Sequence, residues 1–133
     1  MNLGSLLHNT AIRHPHKAAL VDGGDYQAVS YQGLDRSTTL LARRLLREGC
    51  RPGDRIAIHW ANSSEVVTFF FACFKAGLIA VPVNVRMKAP EIAYVLAHSK
   101  AVLCFSQPEL APLAVEAGQG CGDLRGIHTA IGE

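Results

Sequence analysis

The sequence lacks an excess of either charge. Its 13 Lys+Arg stand against 11 Asp+Glu, and a formal net charge of +2 is too small to imply a nucleic-acid partner. It also lacks an apolar run clean enough to span a membrane. The most apolar window, Val66 to Val83, contains Lys75, Gly77 and Pro82 and changes period halfway, which predicts a buried helix followed by a strand. The opening residues, Met1 to His8, carry no basic leader and no unbroken apolar stretch, so they do not read as a signal peptide. There is no Cys-x-x-Cys pair. Cys50, Cys73, Cys104 and Cys121 lie mostly inside apolar segments, as structural thiols of a reducing compartment do, and a disulfide framework is not expected. These absences make the cytoplasm the expected location by default.

What is present is enough apolar material for a core. With 49% hydrophobic and 18% charged residues, the 133-residue chain fits one folded domain that buries roughly two-thirds of its unfolded surface. Leu3, Leu6, Leu7 and Ala11 recur at helical spacing, and His14-Pro15 closes that segment. Ala18 to Val21 and Gln27 to Val29 flank Asp22-Gly23-Gly24-Asp25 and predict a hairpin. Ser30 is placed to cap a helix whose stripe is Tyr31, Leu34, Leu41, Ala42 and Leu45, with Gly49 as its stop. Arg36, Arg43 and Arg47 line another face of that helix. They read either as a phosphate-binding row or as a solvated face.

Pro52-Gly53-Asp54 predicts a turn, and Arg55 to His59 alternates as a strand would. Asn62 and Glu65 have capping-box spacing ahead of Val66, Val67, Phe69, Phe70, Phe71, Cys73 and Phe74, whose apolar residues point all round a helix buried by more than one neighbour. Gly77 ends it. Leu78 to Val83 then reads as a parallel strand covered on both faces. Pro90 and Glu91 open a helix with Ile92, Val95 and Leu96 inward, Ala101 to Phe105 is a further strand, and Pro108 to Ala117 a short helix. Residues 107–133 are expected to be a weakly structured end, with the glycines at 118, 120 and 122 in a loop. The alternation predicts an α/β fold, helices alternating with mostly parallel strands after an early β-hairpin.

The usual catalytic constellations are missing: no G-x-S-x-G, H-E-x-x-H, G-x-x-x-x-G-K-[ST] or strand-bound G-x-G-x-x-G occurs. His14 and His16 straddle Pro15 without an acid or thiolate placed to complete a metal site, and His98 falls in the last turn of its helix, where it complements the dipole. Composition and spacing alone therefore give a fold class and no reaction.

Three stretches add more. Arg51-Pro52-Gly53-Asp54-Arg55-Ile56-Ala57-Ile58, then Asn62-Ser63-Ser64-Glu65, then Phe71 to Arg86 resemble the amino-terminal region of the AMP-forming acyl-CoA synthetases. Ser30-Tyr31 ahead of an arginine-rich helix, and Ala89 to Leu96 with Ser99, fit the same family, so that the resemblance runs from about residue 6 to 106. It implies that all of 1–133 is an amino-terminal subdomain of the large domain of that ligase fold. The family activates a carboxylic acid, fatty acids among them, with ATP and magnesium to an acyl-adenylate, and passes the acyl group to coenzyme A. The phosphate loop, the magnesium-binding acid and the catalytic lysine of the family have no counterpart in this stretch, so no catalytic or metal-binding residue is assigned and the segment alone is expected to be inactive and structural.

The resemblance also implies a role for Arg86, which follows Asn84-Val85 at a strand exit. In some relatives the matching arginine approaches coenzyme A phosphates, a task that suits a guanidinium. Pairing with a local carboxylate or carbonyl is the other reading, and Lys88 stands close enough in sequence to assist. Two departures matter. Gly33 stands where relatives often carry a glutamate, and Val85 where proline is frequent. The expected partners are the remainder of a ligase chain, or a second copy through exposed apolar surface. A stand-alone interaction or regulatory module is the alternative function.

Overall fold

The computed structural model describes residues 2–23 and 27–130. It divides into two compact units, Met1–Pro52 with Asn62–Gly77, and Gly53–Ala61 with Leu78–Glu133.

The first unit holds α1 (Leu3–Arg13), a hairpin of β1 (Ala18–Val21) and β2 (Ala28–Ser30), α2 (Tyr31–Arg47) and α3 (Ser64–Ala76). The expected hairpin is present, its strands antiparallel with Val21 opposite Ala28; the tip at 24–26 lies outside the described residues. Asn2 caps α1 by accepting from the Ser5 N–H at 3.0 Å, and Ser30 caps α2 by accepting from Gly33 at 3.1 Å, each satisfying a donor that the first turn leaves without a partner. Leu34, Leu41, Ala42 and Leu45 of the predicted stripe are buried, while Tyr31 is half-buried.

The expected Asn62–Glu65 capping box does not form. The helix starts one residue later, with Ser63 as its N-cap and no side-chain capping bond, so Glu65 falls at the second helical position and Val66 at the third has no oxygen to return. The all-round burial expected of α3 is present: from Val66 to Ala76 every residue is buried or half-buried. Gly77 closes it in the left-handed conformation at φ 71°. Gly4 is fixed by packing, since a Cβ there would lie 2.8 Å from Lys75 Cα and 2.9 Å from its backbone nitrogen.

A polar cluster ties the three helices together. Lys75 Nζ donates to the Asp35 carboxylate, to the Asp35 carbonyl at 2.9 Å and to Thr39 Oγ1 at 2.8 Å, and His8 Nδ1 meets the other Asp35 oxygen at 3.0 Å. Burial works to raise the Asp35 carboxyl, but the hydrogen bonds and charges of Lys75 and His8 outweigh it and hold it below the usual carboxylate range.

The second unit is a parallel sheet in the order β4-β3-β5-β6, built from β3 (Arg55–His59), β4 (Ile79–Pro82), β5 (Ala101–Ser106) and β6 (Gly126–His128). It also contains α4 (Ala89–Ser99), a 3-10 turn over Pro108–Leu110 and α5 (Ala111–Gly118). Ile92 and Leu96 of α4, Ala114 and Ala117 of α5, and Ala57 and Cys104 of the sheet form one buried cluster.

Two expectations are corrected. The run 78–83, read as a strand covered on both faces, is an edge strand: β4 pairs only with β3 among the described residues, and Ile79 is 51% exposed. The alternating run 55–59 is instead the buried centre, flanked by β4 and β5, with Ile56, Ala57 and His59 at 0% exposure. An apolar run reports what a strand can bury and leaves its position in the sheet open. Within the end expected to be weakly structured, the short helix read over Pro108 to Ala117 is present as α5, and a further strand, β6, follows it at Gly126–His128. Three residues are too few for β6 to show a period; it is held by backbone pairing to Leu103, Cys104 and Phe105. A Cβ at Gly118 would come within 2.8 Å of the end of the Leu124 side chain, which would have to shift to admit it.

Candidate functional site

In an open parallel sheet, ligands meet the loops beyond the carboxyl ends of the strands. In the second unit that edge is made by Val83 to Arg86 after β4, Trp60-Ala61 after β3, and Gln107 after β5. The Val83 N–H donates to the Ile58 carbonyl at 2.9 Å and the Gln107 N–H to the His59 carbonyl at 3.0 Å, which holds the three exits in register.

Arg86 sits on a built turn. Asn84 Oδ1 accepts the Arg86 N–H at 2.9 Å, the Met87 N–H returns to the Asn84 carbonyl at 3.1 Å, and the chain enters α4 immediately afterwards. Glu91 secures that entry by accepting the Lys88 N–H at 2.8 Å. The lysine ammonium has no lone pair to return the bond, so this cap works in one direction. Arg86 is exposed, and its guanidinium makes no hydrogen bond or ion pair with the described residues. The local pairing that the sequence left open is absent among them. Lys88 is exposed too, on the same loop.

The His59–Ser106 pair is the feature that sequence reasoning missed. His59 Nδ1 and Ser106 Oγ lie 3.1 Å apart, both residues are fully buried, and they are register partners at the ends of β3 and β5. Gln107 continues the tie by accepting the Ala61 N–H at 3.0 Å. Burial depresses the His59 pKa and favours the neutral ring. His59 Nε2 is buried without a partner among the described residues. The available signal was position: a histidine and a serine each closing a strand of a parallel sheet.

The remaining candidates disperse. His14 and His16 are exposed, and no group of three or more His, Cys, Asp or Glu among the described residues is arranged to hold a metal. His98 stacks on Tyr94 with ring centroids 5.4 Å apart. The four cysteines are free, and burial lifts Cys73 and Cys104 to about 12, Cys73 with a smaller push from Cys50, so these two remain unreactive thiols. In the first unit, a cavity of about 260 Å³ lies between the hairpin and the start of α3, lined by Leu20, Val21, Asp22, Gly23, Asn62, Ser63 and Ser64. No described helix is long and apolar enough to cross a membrane.

The parallel sheet, its helices and the preceding hairpin define an α/β protein of the kind that forms the amino-terminal domains of adenylate-forming ligases. The chain belongs to the AMP-binding enzyme family, whose model matches residues 7–129. It is 36% identical over 118 residues to a feruloyl-CoA synthase from an Amycolatopsis species, covering 89% of this chain and 24% of that protein. It is 33% identical over 101 residues to a crotonobetaine/carnitine--CoA ligase of Escherichia coli, covering 74% of this chain and 20% of that protein. Among solved structures, the N-terminal domain of FACL13 from Mycobacterium tuberculosis superposes with a TM-score of 0.90 at 27% identity, covering 98% of this chain and 34% of that one. The chain thus spans about a quarter of the length of the curated relatives it matches, in their amino-terminal part.

Proposed function

We propose that the chain is the amino-terminal segment of an acyl-CoA synthetase that uses ATP to convert a carboxylic acid to an acyl-adenylate and then transfers the acyl group to coenzyme A. Its relatives' names carry this reading: the matched proteins include a feruloyl-CoA synthase and a crotonobetaine/carnitine--CoA ligase. The role assigned to this stretch is to scaffold part of the large domain, with Arg86 as its contact to coenzyme A. An exposed guanidinium without a partner among the described residues, set on a turn at the carboxyl end of β4, suits a phosphate group through paired, charge-assisted hydrogen bonds. ATP finds no phosphate loop in this sequence, and a magnesium ion finds no ligand set among the described residues, so neither is assigned to any residue here. The rest of a longer ligase chain is the proposed partner.

The test is carboxylate-dependent ATP–pyrophosphate exchange and thioester formation, measured on the protein from its full reading frame and on these 133 residues alone. The full protein is expected to show both and the 133 residues neither; exchange by the short chain overturns the scaffolding role. In the full protein, Arg86→Ala should raise the KM for coenzyme A by about ten-fold, the loss of one charge-assisted contact, and leave exchange unchanged. An unchanged KM removes Arg86 from the coenzyme A site.

A further inference from the structure

The arginine row on α2 is absorbed neither by the fold nor by the proposed reaction. At about 100° per residue, Arg36, Leu40, Arg43 and Arg47 fall within an arc of about 60°, opposite the buried stripe of Leu34, Thr38, Leu41 and Leu45. All three arginines are exposed, and none of their guanidinium groups makes a hydrogen bond or ion pair with the described residues. The acids of the helix region are engaged elsewhere: Asp35 holds Lys75 and His8, and Glu48 holds Arg44 at 2.8 Å. Within the row stands Leu40, 57% exposed, with Leu46 at 44% on its flank.

The near-neutral total hides an asymmetry. Met1–Pro52 with Asn62–Gly77 carries eight Lys/Arg against five Asp/Glu, whereas the other unit carries five against six. The basic unit also presents Leu3, Leu6, Ile12, Val21, Leu40 and Leu46, six of the molecule's exposed large apolar side chains.

We propose that the outer face of α2 docks on an anionic membrane surface, with Arg36, Arg43 and Arg47 on lipid phosphates and Leu40 reaching the headgroup boundary. Guanidinium groups suit phosphate, and their long stems let them lie along an interface while Leu40 enters it. The dimensions favour this occupant over a protein. The row is about 16 Å long and one helix wide, on the order of 200 Å², against the roughly 800 Å² per side of a stable protein interface. Nucleic acid is disfavoured by the leucines and by the absence of any aromatic side chain on this face. Attachment of this kind is reversible, each cation near the surface being worth about a five-fold gain in partition.

The experiment is flotation of the protein with vesicles of phosphatidylcholine alone or mixed with phosphatidylserine. Binding is expected only to the mixed vesicles and to weaken as salt is raised. Replacing all three arginines, Arg36→Gln, Arg43→Gln and Arg47→Gln, should lower partition by about 100-fold, and the matching lysine replacements should restore it. Leu40→Ser should weaken binding to the mixed vesicles, whereas Arg44→Gln, off the row and paired with Glu48, should not. An unchanged thermal midpoint shows that each variant is folded, as exposed positions predict. Equal binding to both vesicle types, or a triple glutamine variant that still floats, overturns the proposal. So does capture by soluble polyglutamate without flotation, which assigns the row to an acidic protein instead. None of these readouts involves coenzyme A, so the ligase reading stands or falls separately.

Discussion

At the scale of single residues, His59 does the most with the least exposure. A neutral ring at the end of the central strand ties β3 to β5 through Ser106, and burial holds its folded pKa below the ordinary 6.5. Below pH 6.5 the unfolded chain therefore binds a proton that the folded chain resists. The stabilisation is complete above that pH and is lost as pH falls through and below it. Denaturant midpoints measured from about pH 7.5 down to about pH 5 should decline over this window, and His59→Gln should flatten the decline. Asp35, whose folded pKa is also lowered, adds its own loss as pH falls through its unfolded value of 3.8 and below it. Ser106→Ala leaves the buried Nδ1 without its partner and should cost about 1–3 kcal/mol. A midpoint indifferent to both substitutions would mean that the pair is not a tie.

At the scale of elements, what could be read in the sequence was what a period or a cap declares. Leu3–Arg13, the hairpin and the Ser30-capped helix were legible because their signals are local: a 3.6-residue stripe, glycines flanked by β-formers, a hydroxyl three residues before the N–H it caps. The start of α3 was misplaced because Asn62 and Ser63 are both good N-caps, and backbone geometry decided between them. The edge position of β4 and the existence of β6 were not legible, since both depend on which strand lies alongside. At the site, Arg86 was legible as a strand exit, while His59–Ser106 needed the β3–β5 register.

Capping also carries a prediction. Gly33 occupies the third helical position after Ser30, where a glutamate would complete the box. The Tyr31 N–H donates to the Lys17 carbonyl, the pattern that flanks a pair not hydrogen-bonded to each other, so the Ser30 N–H faces away from β1 and is available to the carboxylate that Gly33→Glu introduces. The new Cβ would stand 3.3 Å from Ser30 Oγ, a closeness that a small change of the Ser30 χ1 torsion relieves. Gly33→Glu should therefore raise stability by about 0.5–1.5 kcal/mol, combining the lost glycine entropy with the added cap. A thermal midpoint that is unchanged or lower refutes it.

At the scale of the whole molecule, the 133 residues carry a core and also carry surface that a finished core would cover. β4 is an apolar edge strand with no partner on its outer side among the described residues, and Ile79 stands 51% exposed on it without the charged residue or bulge that usually blunts an edge. Relatives of which this chain spans about a quarter have further chain from which a cover can come. The isolated 133 residues have only one another, so light scattering over a concentration series should show self-association that grows with concentration. Ile79→Lys places a charge at the edge and should reduce the association while leaving the thermal midpoint in place, because a half-exposed side chain contributes little to the core. A well-folded species that stays monomeric across the series would instead describe a self-sufficient interaction module, and it would remove the reason to look for the covering segment elsewhere in a longer ligase.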